Sequence, residues 1–317
     1  MNTTLLSAVR AVCVALLSLP LLAAPGRAMA APAGERPLRA VVSIAPLKGL
    51  VEPLLPAGST VEMIVPPGVS EHGYEAPPSK LAAMQNADLV VTVGLGLEPQ
   101  IDKFLAQNRN DKRLALKFAD LVGVVIAHEH TSHKHKSDGS CCNHESDPHL
   151  WLDPVMVKQF TEKLAARIAE RFPDAAGTAD EHPALAAAKK QAERIDAIDT
   201  AYRAAAENAQ VRTIVVGHDA YGWMARRYSL STIAIAGLTA QEPTHKAVQS
   251  AVAAIAKRGA RAVFVEPQLS PAAGKRIADQ ARVPVLTLDP LGDGDWFSMM
   301  EQNLESLKKG LGEKQTR

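Results

Sequence analysis

His128, His130, His133, His135 and His144, with Cys141 and Cys142 among them, crowd seven soft or borderline metal donors into one short stretch of the 317-residue chain. Residues 127–146, which hold them, have almost no apolar side chains. Such a stretch buries too little surface to offset the entropy of ordering, so a mobile loop is predicted there. Four further positions share a different context. His72 lies in Ser70-Glu71-His72-Gly73-Tyr74-Glu75, just past Pro66-Pro67-Gly68. His149 lies in Asp147-Pro148-His149-Leu150-Trp151-Leu152-Asp153-Pro154, and His218 in Gly217-His218-Asp219-Ala220-Tyr221-Gly222. Asp289 stands between Leu288 and Pro290. Three of the four follow expected strand ends, where an open α/β sheet places its ligands. A single histidine after a strand is more often a capping or packing residue. Four nitrogen or oxygen donors at equivalent places, two from each half of the chain, point to a metal held in a cleft.

The elements that must position these donors are short. Short β-branched runs at 40–44, 61–65 and 89–93 read as strands, and apolar runs without polar alternation suggest cover on both faces, as in a parallel α/β sheet. Residues 79–87 and 99–107 read as helices between them. A second block repeats the alternation, with strands at 213–216, 232–235, 262–265 and 285–288 and helices near 244–257 and 272–281. The pattern predicts two doubly wound lobes. Between them, residues 183–206 contain no glycine and no internal proline. Leu185, Ala188, Ala192, Ile195, Ile198 and Tyr202 recur at helical spacing. Pro183 is tolerated in a first turn, so one long helix of about 36 Å is expected.

Composition narrows the function. With 35 basic and 34 acidic residues there is no positive field to hold nucleic acid. An apolar run at 11–24 behind Arg10, followed by Ala28, Met29 and Ala30, has the form of a secretory signal peptide cleaved after Ala30. It is too short to cross a bilayer as a helix. Export to the periplasm is therefore expected, as signal peptide 1–30, a lobe over 31–176, a linking helix over 177–208 and a second lobe over 209–317. Common enzyme signatures fail: Pro99 stands where Gly94 and Gly96 would need a third glycine for a dinucleotide. Ser132 stands where His128-Glu129 would need a second histidine for a zinc protease.

The segments around His72, His149, His218 and Asp289, the long linking helix and the histidine-rich insert resemble the periplasmic zinc-binding proteins of bacterial zinc ABC importers, within the zinc/manganese solute-binding family. The resemblance implies two Rossmann-like lobes joined by a rigid helix, one Zn²⁺ in the cleft, and a monomer that serves a membrane ABC permease without catalysis. It implies His72 and His149 as ligands from the first lobe, and His218 and Asp289 from the second. Manganese-selective relatives resemble this pattern with a carboxylate at the third position; three imidazoles and one carboxylate suit Zn²⁺ better. Glu71 is a possible additional ligand, while Glu266 and Asp219 are candidates for orienting a neighbour. The loop donors imply a second, weaker zinc site. The alternatives are a manganese or iron member of the same family, and a periplasmic zinc hydrolase.

Overall fold

A computed structural model describes residues 36–124, 147–176, 181–238 and 243–314 of the chain. Its first half runs β1 (Arg39–Val42), α1 (Ala45–Val51), β2 (Thr60–Met63), α2 (Pro78–Gln85), β3 (Leu89–Thr92), α3 (Pro99–Gln107), β4 (Leu114–Lys117), α4 (Phe118–Val122) and α5 (Pro154–Arg171). After α6 (Pro183–Glu207) the second half runs β5 (Thr213–Val216), α7 (Gly222–Arg227), β6 (Ser231–Ala234), α8 (His245–Arg258), β7 (Val263–Val265), α9 (Ala272–Ala281), β8 (Val285–Thr287) and α10 (Trp296–Leu311). Each half forms a four-stranded sheet, ordered β2-β1-β3-β4 and β6-β5-β7-β8. All strand pairs are parallel. The two-lobed α/β architecture expected from the apolar runs is therefore present. Helices cover both faces, which is why a strand such as β3 is buried at every position. The order reverses between β1 and β3 and again between β5 and β7, the places where such sheets open a crevice.

One strand was not expected. Leu114–Lys117 reads Leu-Ala-Leu-Lys and has no β-branched residue. It is a strand because it pairs with β3, from Leu89↔Leu114 to Thr92↔Lys117, and not through local preference.

The long helix is present as α6, 25 residues or about 37 Å. Ala188, Ile195, Ile198 and Tyr202 are buried along one face. Leu185 and Ala192 are only half-buried, because the buried stripe runs through Ala184 and Gln191 instead. The Gln191 amide donates to the Leu50 carbonyl (3.1 Å) in the first lobe. The Tyr202 hydroxyl donates to the Met300 carbonyl (2.7 Å) on α10. The helix thus touches both lobes. Further ties run directly between them: Trp151 Nε1 donates to the Pro290 carbonyl (2.6 Å), and Trp296 Nε1 to the Trp151 carbonyl (2.8 Å). Both indoles are fully buried in a core that draws residues from both lobes.

Asp153 makes a further polar tie. Its Oδ1 accepts from the Val155 amide (3.0 Å) and caps α5, while Arg227 on α7 donates Nε (2.9 Å) and Nη2 (2.8 Å) to the same carboxylate. Asp153→Ala removes a cap, which costs about 1 kcal/mol, and breaks a pair whose acidic side is buried, which costs more. The expected loss is about 3 kcal/mol in urea denaturation. A loss below about 1 kcal/mol would mean that the ion pair adds nothing to the cap.

Candidate metal centre

Each donor is placed by a turn that follows from local sequence. Past β2, backbone pairing continues through Ile64 and Val65, and Pro66 and Pro67 then end it. The next turn carries Glu71 and His72, with the His72 amide donating to Ser70 Oγ (3.3 Å). His149 sits where Asp147 folds back: the Asp147 carboxylate accepts from the His149 amide (3.0 Å), and a short 3₁₀ turn, Leu150–Leu152, leads into α5. His218 follows β5 directly. At Gly217 a Cβ would stand 2.8 Å from Glu266 Oε1, so the glycine is what lets that carboxylate reach the His218 amide (3.0 Å).

Among the described residues, Glu71, His72, His149 and His218 bring one ligand atom each to within 4.8 Å of one another. His149 Nε2 lies 3.2 Å from His72 Nε2 and 3.3 Å from His218 Nε2. Glu71 Oε1 lies 3.7 Å from His72 Nε2 and 3.6 Å from His149 Nε2. A tetrahedral zinc with bonds of about 2.0–2.1 Å has ligand-to-ligand edges of about 3.3–3.4 Å. The observed edges bracket that value.

The protons explain why a cation belongs here. His149 Nδ1 lies 2.7 Å from Asp147 Oδ1, and His218 Nδ1 lies 2.6 Å from Glu266 Oε2. A carboxylate behind an imidazole holds the proton on Nδ1 and turns the Nε2 lone pair the other way. Both lone pairs then face the same point, which is unfavourable until a cation sits between them. Glu71 Oε1 is buried and has no hydrogen-bond partner, which is costly for an ionised oxygen unless it too has a cation to face.

Ionisation follows the same geometry. Burial alone would raise the Glu71 carboxyl, but His149 and His72 beside it outweigh burial and hold its pKa down to about 2. Burial lowers His72 to about 4, against the pull of Glu71. Burial would also lower His149, but hydrogen bonding to Asp147 and the nearby Glu71 carboxylate raise it to about 9. Metal-free protein at neutral pH therefore holds a proton on His149, between His72, His218 and Glu71.

The three histidines singled out in the sequence converge, and Glu71 stands with them. Asp289 is outside the group. Its Oδ1 accepts from Gln268 Nε2 (2.7 Å) and from the Leu291 and Gly292 amides (both 2.9 Å), a turn built by the residues after Pro290. Asp219 is half-buried and also outside the group. Glu266 is buried behind His218. His128, His130, His133, His135, Cys141, Cys142 and His144 lie outside the described residues, as do the first 35 positions. Sequence reading gave Asp147 no role of its own. The available signal was an acid two residues before a histidine, across a proline that forces a turn.

Asp147→Asn and Glu266→Gln keep the shape of each side chain and remove its charge. Each is expected to weaken zinc binding about 10–100-fold with the fold intact, as for other partners that orient a metal-bound histidine. Unchanged affinity in a chelator competition would show that these carboxylates only fill space.

Residues 40–310 match the family described as ZnuA, zinc-uptake complex component A, periplasmic. The chain belongs to this family. It is 26% identical over 288 residues to the high-affinity zinc uptake system protein ZnuA of Bacillus subtilis (strain 168), covering 86% of this chain and 88% of that protein. It is 27% identical over 267 residues to the zinc-binding lipoprotein AdcA of Streptococcus pneumoniae serotype 4 (strain TIGR4), covering 80% of this chain and 52% of that protein. The chain thus spans about half the length of the AdcA relatives it matches. Among solved structures, a crystal structure of ZnuA aligns with a TM-score of 0.73 at 26% identity, over 87% of this chain and 100% of that one. The periplasmic zinc binding protein TroA from Treponema pallidum, at 19% identity and a TM-score of 0.73 over 87% of this chain and 100% of that one, shares the fold of this ZnuA-family chain.

Proposed function

We propose that this ZnuA-family chain is an exported solute-binding protein. It captures Zn²⁺ between its lobes and delivers the ion to a membrane ABC permease. The observation that carries the reading is the set of three inward-facing Nε2 atoms, closed on the fourth side by Glu71. Four protein donors complete a zinc shell, whereas a catalytic zinc keeps a position open for water. That supports capture over hydrolysis, and His218 in place of a carboxylate supports zinc over manganese or iron. Glu71 is the fourth ligand in this reading, and Asp289 shapes its own turn. Export follows from the signal-like residues 1–30, with the lobes at 31–176 and 209–317 working as a monomer.

The donors within 127–146 form, in the same reading, a second and weaker zinc site. Native mass spectrometry of metal-stripped protein, titrated with zinc, tests the assignment. Intact protein is expected to fill one tight site and then weaker ones. Protein lacking residues 128–144 is expected to keep the tight zinc and lose the others. Loss of the tight zinc would mean that the deleted segment supplies a primary ligand. Zinc uptake by cells lacking the chain, restored by the wild type and not by His149→Ala, tests delivery.

A further inference from the structure

His149 and His218 are sealed from solvent, but the His72 side chain keeps 10% of its exposure. It does so because it and Glu71 form part of the wall of a cavity of about 750 Å³. A bare ion needs no such room; the volume falls within the range of about 300–1,000 Å³ typical of small-molecule pockets. The wall also carries both polar and apolar groups. Glu71, His72 and Glu75 supply polar groups, while Leu95, Leu97 and Leu238 supply apolar surface. A metal-holding head with an apolar body matches that division, because desolvated apolar surface and a few convergent polar groups together fix orientation.

We propose that this cavity receives zinc as a one-to-one complex with a small aminocarboxylate that carries an apolar side chain. The proposal rests on the zinc-capture reading and names the form in which the ion arrives. The complex bears a net positive charge, which Glu71 and Glu75 attract. Its metal end meets His72 first, the least buried of the four donors. Its side chain lies against Leu97 and Leu238. Transfer is ligand exchange without redox change. Bonds from zinc to Glu71 and His72 form as those to the carriers' carboxylate and amine break. Bonds to His149 and His218 follow, and the released amine takes up the proton that zinc displaces from His149.

The test compares two chelators with the same donor atoms. Zinc is held at one free concentration by L-leucine or by glycine, and loading is followed in stopped flow by tryptophan fluorescence, since Trp151 lies 5.2 Å from the His149 ring. Loading from leucine is expected to rise with the concentration of its complex and to run about tenfold faster than from glycine. Leu97→Trp, which fills the cavity, is expected to erase that excess and leave loading from glycine unchanged. Leu238→Trp, at another apolar residue of the wall, serves as the second variant should the first fail to fold. A rate set by free zinc alone, or an excess that survives both substitutions, overturns the proposal. Failure to load zinc from either buffer overturns the capture reading instead.

Discussion

His149→Ala is expected to weaken zinc binding by at least about a thousandfold, or about 4 kcal/mol. His149 is the hub of the cluster, with its Nε2 within 3.2–3.6 Å of the ligand atoms of His72, His218 and Glu71. Its removal leaves three donors around an incomplete shell. It also leaves the buried Asp147 carboxylate without the imidazole it faces, and a buried charge stripped of its partner is costly. The effect should therefore exceed the about 10–100-fold expected when only an outer carboxylate is changed. The Asp147 carboxylate still accepts from the backbone amide at position 149, so the turn into α5 has its support. A competitive chelator titration measures the loss, and far-ultraviolet circular dichroism checks the fold. Affinity within tenfold of the wild type would remove residue 149 from the site.

The second large effect is on pH. Zinc must displace the proton that Asp147 and Glu71 hold on His149, whose pKa stands near 9 in the metal-free protein. Lowering the pH strengthens the competitor, so affinity falls as pH falls. Glu71, near 2, is already ionised at neutral pH, and His72, near 4, is already neutral. Neither adds to the slope in the neutral range. His149 therefore contributes about tenfold in affinity per pH unit between pH 6 and 8, reaching its plateau only above about 9. Calorimetry in buffers of different ionisation enthalpy counts the proton directly, and at least one is expected to leave per zinc at pH 7. Zero proton release at pH 7 would contradict the protonation of His149 derived from Asp147 and Glu71.

The lobes were legible chiefly through their central strands, because a strand covered on both faces is mostly apolar, as β3 is at Leu89, Val90 and Val91 and β5 at Ile214, Val215 and Val216. Helix α6 was legible because Ala188, Ile195, Ile198 and Tyr202 keep one spacing over several turns. β4 was not, since Leu114–Lys117 owes its conformation to β3. In the site, the histidines could be found by their place after strand ends or in a turn-rich motif. The preference for Glu71 over Asp289 in the proposed ligand set could not be reached that way. It depends on which carboxylate is already taken by neighbouring donors. Asp289 Oδ1 is occupied by Gln268 and two backbone amides, while Glu71 Oε1 is buried without a hydrogen-bond partner among the imidazoles. Spacing along a chain does not carry that information.

Anomalous diffraction at the zinc edge, from crystals of the zinc-loaded protein, tests the cleft site most directly. One dominant peak is expected about 2.0–2.2 Å from Nε2 of His72, His149 and His218 and from one oxygen of Glu71. Asp147 and Glu266 should still lie against Nδ1 of His149 and His218, and Asp289 should remain in its own turn. A dominant peak ligated by Asp289 in place of Glu71, or one lying away from the three imidazoles, would contradict the assignment.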